Sequence, residues 1–178
     1  MNYFRKMKGT ARGSPVVSLS EIVWSWVGGF LGITAVALIN YRLLDGTDLL
    51  IVIGSFGASA VLIYGAIKSP LAQPRNLVGG HVVSAVIGVA FYQLLPGYTW
   101  LAAPLAVATA IAAMHVTKTL HPPGGATALI AVIGSSEIHA LGYLYVLMPV
   151  AAGAAIMLVV ALLVNNIPGN RRYPETWV

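Results

Sequence analysis

The stretch His121-Pro122-Pro123-Gly124-Gly125-Ala126-Thr127 decides how this chain folds, because it places an ionisable residue, two helix breakers and two glycines inside apolar sequence. Proline removes a backbone donor and fixes φ, whereas glycine permits conformations closed to other residues. Prolines fit well in a first helical turn, and the residues that follow are helix-forming. We therefore predict that a helix starts here, with the amides of Gly124, Gly125 and Ala126 left free to meet protein, water or a ligand.

Composition identifies lipid as the solvent around this helix. Of the 178 residues, 58% are hydrophobic and 8% are charged, whereas a soluble domain carries roughly a quarter charged residues. The absence of cysteine excludes disulfides and thiolate metal sites. The net charge of +5 is concentrated at the ends of apolar segments, which indicates membrane topology rather than nucleic-acid binding. We expect one membrane domain with no cofactor and no metal.

Six apolar segments predict an all-α, polytopic membrane protein. They cover about residues 22–40, 49–67, 77–95, 100–116, 123–134 and 141–164. Five of these segments are long enough to span a bilayer. The fifth in order is the exception, since it would rise only about 18 Å as a helix against a hydrocarbon core of about 30 Å.

The basic residues predict that all six segments cross the membrane. With the N-terminus inside, only Arg42 of the ten basic residues falls outside. If the short fifth segment did not cross, the Arg171-Arg172 pair would have to be translocated. The predicted cytoplasmic set is Arg5, Lys6, Lys8, Arg12, Lys68, Arg75, Lys118, Arg171 and Arg172.

This topology divides the chain into three parts, with both termini cytoplasmic. We expect a basic tail at residues 1–20, a transmembrane domain at 21–166 and a second tail at 167–178. A targeting peptide is the alternative for the first tail, but no small-residue cleavage site follows a short apolar core there.

A weak internal match suggests two inverted repeats of three spans each. Gly57–Leu62 in the second segment matches Gly125–Ile130 in the fifth, and the two lie 68 positions apart. Chance could also produce a match of six such common residues. Repeat units at about residues 21–95 and 98–166 would place the two copies in opposite orientations across the membrane.

The broken second and fifth segments predict a binding site for a small anion. Gly54–Gly57 would loosen the second segment from the outer side, while His121–Gly125 opens the fifth from the cytoplasmic side. Helix N-termini carry partial positive charge, and interrupted helices at matching repeat positions mark transport sites. The alternative is that the glycines only allow close helix packing. The predicted substrate-binding residues are Ser55, Phe56, Gly57, Ser59, His81, His121, Pro122, Pro123, Gly124, Gly125 and Thr127.

Two histidines are the central candidates within this set. His81 follows Gly79-Gly80 near the start of the third segment, and His121 lies at the mouth of the fifth, so both could line one access route. A lone intramembrane histidine is a functional candidate, although it can also simply bond a backbone carbonyl. His139 is read as a solvated residue of the outer loop.

Three further basic residues are predicted to attract anions to the cytoplasmic entry of the site, and we call them the steering set: Arg75, Lys118 and His115. Arg75 lies in the donor-rich loop 69–76 and could attract anions by its charge. The alternative is a structured turn in which Pro70 and Pro74 end the second segment. Cations near the end of the fourth segment are also favoured by the helix dipole and the membrane surface.

Carboxylate placement argues against an enzyme. All five carboxylates fall at interfaces, loops or the tail, and no HExxH motif is present. Histidine is therefore the only buried general acid or base on offer. If transport is coupled to protons, His121 or His81 must carry them.

The sequence also resembles a known family, the HPP integral membrane proteins. The resemblance rests on three motifs in the same order and extends from Ile22 to the Arg171–Pro174 tail. The motifs are Gly54–Ala60, Ser69–Asn76 with Gly79-Gly80-His81, and Thr119–Ala128 with the name residues His121, Pro122 and Pro123. The resemblance implies a bacterial inner-membrane or chloroplast-envelope protein and, from the plant members, nitrite as substrate. Family members are often described with four spans, fewer than the six predicted here.

Two functions therefore remain. The first is a transporter or channel for a small monovalent anion, nitrite above all, bound near the midplane of the bilayer. The alternative is a membrane scaffold or ligand sensor that moves no solute. A small-residue face at Gly28, Gly29 and Gly32 suits either a homo-oligomer contact or internal packing.

Overall fold

The computed structural model describes Met7, residues 16–43 and residues 52–177, and in these residues all regular structure is helical. Most of the predicted basic tail and the charges at Asp45 and Asp48 lie outside the described residues. The described α-helices are α1 (Leu19–Leu43), α2 (Ser55–Ala60), α3 (Pro74–Leu94), α4 (Thr99–Val116), α5 (Pro122–Ile133), α6 (Ser136–Leu141) and α7 (Ala152–Val164). A π-helical turn at Val61–Gly65 extends α2, a second at Val146–Ala151 leads into α7, and a 3-10 turn covers Pro70–Ala72.

Within the described residues, four helices are long and apolar enough to cross a membrane, and two shorter apolar helices lie between them. The candidate spans are Leu19–Arg42, Pro74–Leu94, Thr99–Val116 and Val146–Val164. The short helices are Ser55–Gly65 and Pro122–Ile133. The prediction of a short fifth segment is confirmed. Among the described residues the second segment is helical only from Ser55 to Gly65, so the prediction that segments two and five are broken or short is confirmed, although the apolar run of the second segment is long enough to span.

Glycines bring the backbones of α3 and α5 into direct contact. A Cβ atom added at Gly124 would lie 2.8 Å from the Gly80 carbonyl and 2.7 Å from Ser84 Oγ. A Cβ atom added at Gly88 would lie 2.6 Å from the Ala128 carbonyl. Close packing through small residues is therefore one role of Gly124. The packing alternative was raised for Gly54, Gly57 and Gly125, where an added Cβ atom would meet nothing closer than 3.8 Å.

The glycine face of α1 is also used inside the fold. The ring of Tyr64 fills the space that side chains at Gly28 and Gly32 would occupy, whereas no atom lies within 4 Å of a Cβ atom at Gly29. The Tyr64 hydroxyl donates a hydrogen bond to the Met157 carbonyl at 3.0 Å. Tyr64 thus ties α1 and the end of the α2 segment to α7.

The C-terminal tail packs onto the bundle instead of leaving it. Arg171, predicted as a topology marker, is buried, and its Nη2 atom donates to the Tyr64 carbonyl. Its Nε atom lies 3.6 Å from Glu21 Oε2 at the start of α1. Burial lowers the pKa of the Arg171 guanidinium, and the Glu21 charge acts in the opposite direction. Tyr173 continues this packing, since its hydroxyl donates to the Ala72 carbonyl at 2.7 Å.

We expect Glu21→Gln to lower the free energy of unfolding by about 1 kcal/mol, because it leaves a buried guanidinium without its counter-charge while Glu21 itself remains partly exposed. Chemical unfolding in detergent measures this change, with Glu175→Gln on the exposed tail as the control. The double variant Glu21→Gln, Arg171→Met should recover part of the loss. A double variant weaker than the single one would contradict a charge-based account.

The loop 69–76 is structural throughout. Pro70 starts the 3-10 turn and Pro74 is in the first turn of α3, so the prediction that these prolines end the second segment is wrong. The Gln73 side chain donates to the Ser69 carbonyl at 2.8 Å. The Asn76 side chain donates to the Leu120 carbonyl at 2.8 Å, which fixes the loop before α5.

Candidate functional site

The two short helices lie antiparallel and are joined by polar side chains. Ser55 at the start of α2 contacts Thr127 in the middle of α5, whose hydroxyl donates to Ser55 Oγ at 2.9 Å. Ser59, one turn further along α2, lies 2.9 Å from Nε2 of His121 at the start of α5. Because the chain order of the two pairs is opposite, α2 and α5 run in opposite directions.

His81 joins the two helices from α3. Its Nε2 atom lies 2.7 Å from Ser59 Oγ, and its Nδ1 atom lies 2.7 Å from Thr127 Oγ1. The Phe56 ring meets the imidazole edge to face, with the ring centroids 5.3 Å apart. Gly80, the residue before His81, faces His121 and the Thr119 carbonyl so closely that a side chain at this position would clash. The glycine therefore allows the two histidines to approach.

His121 occupies the N-cap position of α5 with an extended backbone, at φ −140° and ψ 105°. Its Nδ1 atom lies 2.8 Å from the Leu71 carbonyl oxygen. A carbonyl can only accept, so Nδ1 of His121 must carry the hydrogen. The His81 and His121 rings are close neighbours, with centroids 5.0 Å apart.

These side chains form a continuous buried chain, which we call the histidine–hydroxyl chain: Ser55, Thr127, His81, Ser59 and His121. Each of the five is at most 1% exposed. Buried polar groups are normally stabilised by hydrogen bonds, and here the partners are mainly one another. Among the described residues no cluster of histidine and carboxylate side chains could hold a metal ion.

The donors at this site are side chains rather than helix-terminal amides. The Gly124 amide donates to the His121 carbonyl at 2.8 Å, so the prediction that it is free is wrong. At the start of α2, the Phe56 amide donates to the Ile53 carbonyl at 3.0 Å and the Gly57 amide to the Gly54 carbonyl at 3.2 Å. Tight terminal turns satisfy these amides.

The predicted site residues divide into two groups. Six come together in the interior: Ser55, Phe56, Ser59, His81, His121 and Thr127. Gly57 and Gly125 instead face open space, since a Cβ atom at Gly57 would meet nothing within 4 Å and one at Gly125 only Val107 at 3.8 Å. Pro122 is exposed and Pro123 is buried.

The predicted steering set does not touch the histidine–hydroxyl chain. His115, Lys118 and Arg75 are all exposed, and the Arg75 guanidinium donates to the Thr117 carbonyl at 2.9 Å. His139, predicted as solvated, is half-buried and stacks on Tyr92 with centroids 3.8 Å apart.

Two apolar hollows flank α5. One, of about 400 Å³, lies between the two short helices and is lined by Ala58, Val61, Leu62, Pro122, Pro123 and Ala126. The other, of about 560 Å³, lies between α4 and α5 and includes Val107, Met114 and Leu129. The outer face of α5 is thus less tightly packed than its face toward α3.

Two hydrogen-bond partners of the histidine–hydroxyl chain were not predicted from the sequence. The Tyr145 hydroxyl donates to the Thr127 carbonyl at 3.1 Å, and Leu71 contributes its backbone carbonyl. Tyr145 follows the outer loop with no motif around it. A backbone carbonyl has no sequence signal at all, so only the fold reveals it.

Comparison with known proteins agrees with a membrane protein of one particular family. The model of the HPP transmembrane region matches residues 14–174. A transmembrane protein of Dictyostelium discoideum is 49% identical over 180 residues, which cover 99% of this chain and 58% of the relative. A second transmembrane protein of that organism is 46% identical, covering 99% of this chain and 64% of the relative. The chain therefore spans less than two thirds of the length of these relatives. No solved structure matches it.

Proposed function

This chain belongs to the HPP family of transmembrane proteins, and from that premise we propose that it moves a small monovalent anion, nitrite first among the candidates, across the membrane. The observation that carries the proposal is the buried histidine–hydroxyl chain where the two short helices meet. Polar side chains in a membrane interior are costly, and they commonly mark a path for a solute or ion.

The chemistry of the histidine–hydroxyl chain suits an oxyanion. Three hydroxyls and two imidazoles can donate hydrogen bonds, and no carboxylate lies among their described contacts to repel a negative charge. Nitrite has a delocalised negative charge on two oxygens, so neighbouring donors from α2 and α5 can share it. Ser59 and His121 on one side and Thr127 on the other are the proposed ligands.

Several contacts support a six-span, inverted-repeat arrangement. Ser59 and Thr127 occupy equivalent positions in the internal match, and both contact His81. Their helices run in opposite directions, as an inverted repeat requires. The ion pair between Glu21 and Arg171 brings the start of α1 beside the tail after α7, which favours an even number of crossings.

An anion can reach these donors only if the short helices separate. The histidine–hydroxyl chain is buried and its members bond one another, so the structure describes an arrangement closed to solvent. The hollow between α2 and α5 leaves room for Pro122 and Ala126 to move against the α2 segment. Arg75, Lys118 and His115 would act earlier, by attracting the anion to a cytoplasmic surface of the inner membrane.

A scaffold or ligand sensor is the competing function. It is favoured by the complete internal bonding of the histidine–hydroxyl chain, since such a network can also hold helices in one arrangement. A scaffold would retain its fold and move no anion. Flux measurement therefore separates the two functions.

The experiment is nitrite uptake into proteoliposomes that contain the purified full chain. We expect uptake above that of empty liposomes, with formate and nitrate tested as competitors to define selectivity. Uptake equal to empty liposomes for all three anions, from a monodisperse and folded protein, would exclude the transport function and leave the scaffold.

A further inference from the structure

The hydrogen atoms available to the histidine–hydroxyl chain can be counted, and the count depends on Thr127. Its hydroxyl has a single hydrogen, which can go to Ser55 Oγ at 2.9 Å or to the Pro123 carbonyl at 3.3 Å, and in both cases it points away from His81. The contact with His81 then needs a hydrogen on His81 Nδ1. A neutral His81 with this hydrogen has a bare Nε2, which must accept from the Ser59 hydroxyl.

This arrangement leaves His121 with two hydrogens. Because the Ser59 hydrogen is directed to His81, His121 Nε2 must donate to Ser59 Oγ. His121 Nδ1 must also donate, since its partner is the Leu71 carbonyl. With Thr127 donating away from His81, His121 is a positively charged imidazolium, and the histidine–hydroxyl chain holds one proton more than its neutral form.

The neutral form keeps the same five contacts with the internal directions reversed. Ser55 donates to Thr127, Thr127 to His81 Nδ1, His81 Nε2 to Ser59, and Ser59 to His121 Nε2, while His121 Nδ1 still donates to the Leu71 carbonyl. The neutral form gives up only the 3.3 Å contact of the Thr127 hydroxyl with the Pro123 carbonyl. The two forms differ by one proton and by the tautomer of His81.

We propose that the histidine–hydroxyl chain is a proton relay that stores one proton on His121 for each anion bound. Once the short helices separate, a hydronium that reaches Ser55 beside exposed Gly54 gives a proton to Ser55 Oγ and leaves as water. The original Ser55 hydrogen passes to Thr127, that of Thr127 to His81 Nδ1, that of His81 Nε2 to Ser59, and that of Ser59 to His121 Nε2. The Leu71 carbonyl cannot take a covalent proton, so proton transfer ends at His121.

The stored charge couples the relay to the anion, and this step rests on the proposed function. A buried imidazolium without a counter-charge is costly, and a bound anion offsets that cost. The described titratable groups in contact with the relay are the two histidines themselves, from α3 and α5, and Tyr145 beside Thr127. Ser59 and Phe56 from α2 and Met114 from α4 add no charge. The anion is therefore the partner of the stored proton.

The tautomers can be read by nitrogen NMR of ¹⁵N-histidine-labelled protein in lipid nanodiscs. The variant His115→Gln, His139→Gln leaves only the two relay histidines of the four in the chain. Without nitrite at neutral pH we expect hydrogen on His121 Nδ1 and His81 Nε2. Acid or added nitrite should then place hydrogen on both His121 nitrogens and move the His81 hydrogen to Nδ1. The relay would be overturned if His121 became doubly protonated while the His81 tautomer stayed unchanged, or if both rings became positively charged.

A matched pair of serine variants tests the connection itself. Ser59→Ala removes the link between the histidines, so His81 should no longer change tautomer when His121 is loaded. Ser84→Ala is the control, because Ser84 is equally buried but bonds Met114 Sδ outside the relay. A coupled change that persists in Ser59→Ala would mean that the rings do not communicate through this hydroxyl.

The coupling to the anion is tested by a pH dye inside the proteoliposomes, with the leak of empty liposomes subtracted. We expect one proton to enter with each nitrite and uptake to be indifferent to membrane potential. Nitrite uptake that carries net charge and no proton would overturn the coupling and leave the transport function intact. No uptake would remove both, while the tautomer measurement still decides whether the relay stores a proton.

Discussion

Replacing His121 by alanine is expected to lower nitrite flux at least about tenfold. The change removes the donor to the Leu71 carbonyl and the partner of Ser59 Oγ. An unpartnered buried polar group costs about 1–3 kcal/mol, and about 1.4 kcal/mol corresponds to a factor of ten. Initial rates of nitrite uptake into proteoliposomes, normalised to inserted protein, measure the effect.

His139→Ala is the control for this prediction. His139 stacks on Tyr92 and lies within hydrogen-bonding distance of the Val132 carbonyl at 3.2 Å, outside the histidine–hydroxyl chain. It should therefore keep wild-type flux. His121→Gln, which retains a polar side chain, guards against a simple folding defect in the alanine variant. Wild-type flux in a folded His121→Ala protein would contradict the role given to this histidine.

Gly124→Ala is expected to destabilise the protein by about 1–3 kcal/mol, whereas Gly125→Ala should be neutral or slightly stabilising. An added methyl group at Gly124 would press on the Gly80 carbonyl and Ser84 Oγ, so α5 must move away from α3. At Gly125 the nearest atom would be Val107 Cγ1 at 3.8 Å, which is ordinary contact. The two neighbouring glycines form a matched pair.

Thermal unfolding in detergent, followed by loss of monodisperse protein, measures the difference between these two variants. Gly124→Ala should unfold at lower temperature than wild type, and its displaced α5 should also reduce flux. Equal stability of the two variants would mean that the α3–α5 contact tolerates expansion, and the close approach of His81 to His121 would then need another explanation.

Composition and segment length predicted the all-helical membrane fold and the short α5, because both depend on local sequence. A break in the second segment at Gly54–Gly57 was predicted from its glycines, whereas the start of α2 at Ser55 was not, since hydropathy continues without interruption through Val52 and Ile53. The role of Arg171 was also missed. A basic residue after the last span has the same sequence pattern whether it marks the cytoplasmic side or is buried and paired with the partly exposed Glu21.

The candidate site was predicted as residue types and not as a network. Ser59 lies 22 positions from His81 and 62 from His121 in sequence, so their contacts depend on how three helices pack. The helix-start pattern was read as a set of free amides, but the Gly124 amide is satisfied by the His121 carbonyl. Side chains opposite the break supply the donors, and hydropathy carries no information about that pairing.

The central claim is that an anion crosses at the histidine–hydroxyl chain. The most direct test is nitrite flux for wild type, Ser59→Ala and Ser84→Ala, reconstituted side by side at equal protein content. Both serines are fully buried and lose the same atom, but only Ser59 contacts the two histidines. We expect wild-type flux for Ser84→Ala and at least about tenfold lower flux for Ser59→Ala, as for an unpaired buried group. Equal flux from both variants, with both folded, would contradict it.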